Sequence, residues 1–170
     1  MIKYLPKIYP NESFYSYLSR LFCHSGFITS VGFSKEVLIR DKAKVNYEFI
    51  NELNPSFKEL LLSHISYEEL LLNHTLFKYH IRFLDNDKKK DAYDYAMTNK
   101  SLLFHKLPVP LNKNYYLRYC PLCVKEDRVE YGESYYHIEH LFPFINICPN
   151  HCCRLIDTKI KINCELNKTF

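Results

Sequence analysis

The sequence predicts a mainly α fold in two parts: a helical region over residues 1–110 and a small cysteine-rich region over 111–170. Three observations carry this. Apolar residues recur at helical spacing behind good cap residues through the first half of the chain. The proline-marked stretch "KLPVPLNKN" reads as a linker. Five of the seven cysteines and three of the eight histidines then crowd into residues 117–155.

The first helix is expected to begin at "YPNESF", with Asn11 as N-cap, Glu12 and Ser13 in the first turn, and Phe14, Leu18, Leu21 and Phe22 on one face. Gly26 ends it, and "SKEVLIRD" predicts a short helix after it. "NYEFINELN" is helical in pattern, Pro55 breaks it, and "SFKELLLSH" resumes it. Ser66 and Glu69 form a capping box that opens "LLLNHTLFKYHIRFL", where Leu70, Leu71, His74, Phe77 and Ile81 share a buried face. "DNDKKKD" reads as a polar break between helices, and "AYDYAMTNKSLLFH" as a weak helix. Short helices with tight connections fit a helix-turn-helix; a helical-bundle core gives the same pattern.

With 47% hydrophobic and 16% aromatic residues the chain can bury a core. Its 3 glycines include no GxGxxG or GxxxxGKS/T, which argues against phosphate-loop binding of a nucleotide. The start lacks the apolar core of a secretory signal, and no run approaches the roughly 20 apolar residues of a membrane span. A cytoplasmic location without membrane contact is expected, where disulfides are disfavoured. Seven is also an odd number of cysteines. A net charge of +4 permits contact with nucleic acid without requiring it.

Cys120 and Cys123 form C-P-x-C, and Cys148 and His151 form C-P-x-H. A two-residue spacer lets one tight turn aim two donors at a common point, and two such turns make a tetrahedral Cys3His set. Thiolate and imidazole suit Zn2+ rather than Mg2+ or Ca2+, so the sequence predicts one structural zinc in a zinc-finger or zinc-ribbon-like region. Cys152 and Cys153 beside His151 are competing ligands, and Cys164 has no assigned role. Metal loss is then expected to unfold the tail while the amino-terminal helical signal largely survives.

Catalysis has little support. His137-x-Glu139 resembles the H-x-E of zinc deaminases, but there it precedes P-C-x-x-C and here it follows the cysteine pair. No βαβ pattern makes Cys120 and Cys123 a redox pair. Four protein donors leave no position for a catalytic water. His137 and His140 are expected to pack or hydrogen-bond beside the site, and no residue is assigned a catalytic role.

Three stretches carry a family resemblance. "YPNESFYSYLSRL" is similar to the opening motif of the TniQ family, a proline, then E-S/T, then an amphipathic helix ending near an arginine, here Arg20. "NHTLFKYHIRFL" resembles a segment of its TnsD-type members, and "LRYCPLCVKEDRVEYGESYYHIEHLFPFINICPNH" follows the family's zinc segment. The chain departs from the pattern at Tyr136, where Trp is usual, and at Cys152, where Gly is usual. TnsD-type chains are longer, so this sequence reads as an amino-terminal portion or short form.

The resemblance implies a non-enzymatic adaptor in DNA transposition. Such proteins link a target, DNA or an RNA-guided complex, to an AAA+ regulator ATPase, with no small-molecule substrate. Candidate phosphate contacts are Arg118, Lys125 and Arg128. Tyr4, Tyr9, Tyr15 and Tyr17 are candidates for the ATPase-docking surface, because rigid amphipathic aromatics concentrate binding energy. The alternatives are a protein-only interaction module and a zinc-dependent nucleic-acid enzyme.

Overall fold

A computed structural model describes residue 2 and residues 4–39, 53–98 and 116–161. The described residues form helices α1 (Phe14–His24), α2 (Ser30–Val37), α3 (Pro55–Leu62), α4 (Tyr67–His74), α5 (Phe77–Ile81), α6 (Asn86–Met97), α7 (Pro121–Tyr131) and α8 (Ile138–Leu141). Strands β1 (Tyr116–Tyr119) and β2 (Ile156–Lys161) pair antiparallel, with Arg118 opposite Asp157 and Tyr119 opposite Ile156. The fold is mainly helical. No described helix is long and apolar enough to cross a membrane. The "NYEFINELN" pattern up to Glu52, the "KLPVPLNKN" linker and the boundary near residue 110 lie outside the described residues.

Local chemistry explains most helix ends. Ser13, not Asn11, caps α1, its side chain accepting from the Ser16 N–H. Asn11 instead takes a left-handed φ of 54°, which Asn tolerates better than most residues. Gly26 follows α1 at φ 75°, the usual glycine position past a helix end. Pro55 opens α3 rather than breaking it, behind the cap Asn54, because a proline at the first helical position costs no hydrogen bond. Ser66 caps α4 as its spacing predicts.

Two further expectations need correction. The "LLLNHTLFKYHIRFL" run is two helices: Thr75 turns its hydroxyl back to the Leu71 carbonyl, and the chain bends between α4 and α5. Leu70, Leu71, His74 and Phe77 still face inward. "DNDKKKD" is not a break but the start of α6. Asp85 caps it, and Asp87 sits in its first turn, where a carboxylate meets the positive end of the helix.

One buried cluster draws on both sides of residue 110. Phe14, Leu18 and Leu21 of α1 and Phe33 and Val37 of α2 pack with Leu117 of β1 and with Ile138, Leu141 and Phe142 around α8. The backbone repeats the link: the Ser13 N–H donates to the Tyr136 carbonyl (2.8 Å), and the Ile138 N–H to the Asn11 carbonyl (2.7 Å). The opening motif is thereby laced to the segment that leads into α8.

Candidate metal centre

The first knuckle sits where β1 gives way to α7. Cys120 is the N-cap of α7, its Sγ facing the Cys123 N–H at 3.5 Å, and Pro121 occupies the first helical turn. This places Cys120 and Cys123 on one side of the helix start, where backbone N–H groups and the helix dipole favour negative sulfur. The second knuckle is a tight turn closed by Cys152 N–H to Cys148 O (2.9 Å) and Cys148 N–H to Cys153 O (2.8 Å). Cys152 takes φ 51°, a left-handed conformation that suits glycine.

The two turns bring Cys120, Cys123, Cys148 and His151 together, with all four donor atoms within 4.8 Å of one another. His151 Nδ1 lies 3.5, 3.3 and 3.7 Å from the sulfurs of Cys120, Cys123 and Cys148, and the last two sulfurs are 3.7 Å apart. Sulfurs held at about 2.3 Å from a tetrahedral zinc lie about 3.8 Å from each other, so the spacing and the soft donor set fit one such ion. The three cysteines are buried.

The electrostatics of the donors differ from one to the next. Burial pushes the Cys120 thiol up, but the Cys123 amide and the neighbouring thiols outweigh it and hold the group at about 7. Burial raises Cys123, and the adjoining Cys148 and Cys120 sulfurs raise it further. Crowded thiols resist successive ionisation; a divalent cation removes that resistance.

Around the donors lies a layer of partners, in which His137 and His140 stand beside the site as expected and Glu126 and Asp127 take roles that spacing did not assign. Glu126, one turn beyond Cys123 on α7, accepts from His151 Nε2 at 2.9 Å and leaves Nδ1 facing the sulfurs. That hydrogen bond to Glu126, with help from Cys148, pushes the His151 imidazole up to about 9. His140 turns Nε2 towards Cys123 Sγ at 4.0 Å, and its buried Nδ1 has no hydrogen-bond partner among the described residues. Burial lowers His140 to about 4, so its ring is neutral at pH 7. His137 pairs with buried Asp127 at 3.0 Å and stacks on Tyr135. Cys153 places its Sγ 3.3 Å from Cys120 Sγ.

A second polar cluster lies between the opening motif and the loop after α7. Arg20 donates from Nε and a terminal nitrogen to the two oxygens of Glu12, each at 2.8 Å, and from the other terminal nitrogen to Glu133 at 2.9 Å. Its guanidinium lies over the Tyr9 ring, 3.8 Å from the centroid. The Glu12 carboxylate also accepts the Tyr9 N–H, and the Glu12 carbonyl accepts from His74 Nδ1 at 2.6 Å. Burial opposes the Arg20 charge, but Glu12 and Glu133 more than offset it. The E-S and Arg20 features of the opening motif are thus an internal lock.

The remaining predicted site residues fall in different places. Lys125 and Arg128 are exposed on α7. Arg118 is only 9% exposed and donates to Asn146 Oδ1 and the Phe142 carbonyl, so it offers no phosphate contact on the surface. Tyr15 and Tyr17 are each 1% exposed and pack in the core, and Tyr17 also lines the groove that Tyr4 borders. Tyr9 is half-buried against Tyr131, while Tyr4 is 68% exposed at the rim of a groove of about 480 Å³.

Comparison with known proteins follows the same stretches. The family model named TniQ matches residues 4–155. The Escherichia coli protein described as "Transposon Tn7 transposition protein TnsD" is 25% identical over 157 residues, which cover 86% of this chain and 30% of that protein. The chain therefore spans less than a third of the length of that relative.

Proposed function

The chain belongs to the TniQ family, and from that premise we propose that it is a zinc-stabilised, non-enzymatic adaptor in DNA transposition. In this reading Cys120, Cys123, Cys148 and His151 hold one Zn2+, which supplies structure to the region after residue 115. The adaptor links a target, DNA or an RNA-guided complex, to an AAA+ regulator ATPase. The observation that carries the reading is the family match across both the opening motif and the Cys3His cluster.

On this proposal the ATPase docks at the groove formed by the amino-terminal strap and α3–α4, lined by Tyr4, Lys7, Ile8, Tyr17, His64 and Glu69. Lys125 and Arg128 on α7 are the exposed cations left to meet phosphates from the original three candidates. A protein-only module is the second reading, and one observation favours it: Arg118 is used internally.

The test is co-purification of the full chain with the AAA+ ATPase of the same transposon, with and without ATP, beside duplex binding at low and moderate salt. Capture of the ATPase, weakened at least about tenfold by Tyr4→Ala, is expected of a docking aromatic. No capture in either nucleotide state would end the adaptor reading. Duplex binding that drops steeply with salt supports DNA as the target; its absence at low salt selects the protein-only module.

A further inference from the structure

The cysteine-rich cluster contains one sulfur more than a tetrahedral centre needs. Cys153 is half-buried, packs against the group formed by Cys120, Cys123, Cys148 and Leu155, and stands 3.3 Å from Cys120 Sγ. Its backbone is held in place, because its carbonyl accepts the Cys148 N–H at 2.8 Å inside the second knuckle. Cys152, its neighbour, is exposed and has no such place. We propose that Cys153 is an alternate metal ligand that exchanges with Cys120, so that the centre has three committed donors and one position shared by two sulfurs.

The geometry makes the exchange selective. Cys153 touches Cys120 and no other donor sulfur within hydrogen-bonding reach, so a small rotation brings it into the place of Cys120 and not that of Cys123 or Cys148. In the exchange one metal–sulfur bond breaks at Cys120 and one forms at Cys153. Cys153 gives up its thiol proton and Cys120 takes one, so the charge of the centre is unchanged. Either state is a Cys3His set, the kind that thiophilic divalent ions accept.

This inference rests on the metal reading above, and the experiment separates the two. The full chain is loaded with Co2+ in place of zinc, and sulfur-to-cobalt charge-transfer and tetrahedral d–d bands are followed through a titration. Cys120→Ser suits the test because serine is itself a good N-cap and keeps the start of α7. The expected result is that Cys120→Ser holds about one equivalent, within about tenfold of the unaltered chain, and keeps the three-thiolate spectrum. Cys123→Ser and the double variant Cys120→Ser with Cys153→Ser are expected to bind at least about 100-fold more weakly, since even an outer partner of a ligand is worth about 10–100-fold.

A second measurement needs no altered ligand. In the metal-loaded unaltered chain, mass spectrometry of alkylated cysteines should find Cys120 modified faster than Cys123 and Cys148, and Cys153→Ser should slow Cys120 to their rate. Metal loss in Cys120→Ser as complete as in Cys123→Ser, or equal protection of Cys120 and Cys123 indifferent to Cys153→Ser, overturns the exchange and leaves the metal reading standing. An unaltered chain that takes up no Co2+ or zinc overturns both.

Discussion

The two polar clusters of this protein do opposite jobs with similar means. The Cys3His cluster gathers four donors from residues 120–151, a set that could hold one metal ion. The Arg20 cluster instead ties Glu12 to Glu133, and the carbonyl of Glu12 to His74. The first draws its donors from one stretch of the chain, and the second joins three separate stretches. The buried cluster and the Arg20 lock both run through the opening motif and the Cys3His segment.

The largest effect expected from this comparison comes from Cys123→Ser. It should strip the metal, whose apparent binding free energy at such sites is on the order of 10 kcal/mol. Because Leu117, Ile138 and Leu141 share a core with Phe14, Leu18 and Leu21, the loss should spread into the amino-terminal helices. Elemental analysis and thermal circular dichroism are the measurements. A variant that loses metal yet keeps the amino-terminal helical signal with an unchanged transition would restore the picture of two independent regions.

Next in size is Arg20→Ala. Glu12 is fully buried, and without Arg20 its carboxylate keeps only neutral partners. Breaking a buried pair on one side costs about 3–5 kcal/mol. Denaturant unfolding should register that loss while metal stoichiometry in the folded fraction stays at the level of the unaltered chain. A loss below about 1 kcal/mol would mean that Arg20 is a surface residue in practice and that the apolar cluster alone joins the regions.

The smallest expected effect is a gain. Cys152 holds φ 51° without being glycine, and a left-handed non-glycine residue costs roughly 1–2 kcal/mol. Cys152→Gly should therefore raise stability by about 1 kcal/mol, part of the relief being returned as added freedom in the unfolded chain. The midpoint of thermal unfolding of the metal-loaded protein reads it directly. A midpoint that falls would show that the second knuckle is not strained and that the Cys152 side chain has a role of its own.

What the sequence determined by itself is what local rules govern. A two-residue spacer with proline gives two donors per turn whatever surrounds it, so the four candidate ligands were legible from spacing, and they converge. Ser66, three residues before Glu69, caps α4 for the same reason: the contact spans three positions. Even local reading failed where two signals competed. Asp85 outweighed the charge run behind it and started α6, and Thr75 divided a continuous apolar pattern into two helices.

Tertiary structure alone decided the partners. Arg20 and Glu133 are 113 positions apart, and no period or cap rule relates them; they meet because α1 and the loop after α7 bury the same apolar surface. The same packing put Tyr15, Tyr17 and Arg118 inside, although their side chains suit an interface equally well, and left Tyr4, Lys125 and Arg128 outside. It also chose between the two competing ligands beside His151, setting Cys153 against Cys120 across 33 positions and leaving Cys152 exposed. Propensity acts over one or two helical turns, whereas burial is settled only when all the apolar faces of the chain have found each other.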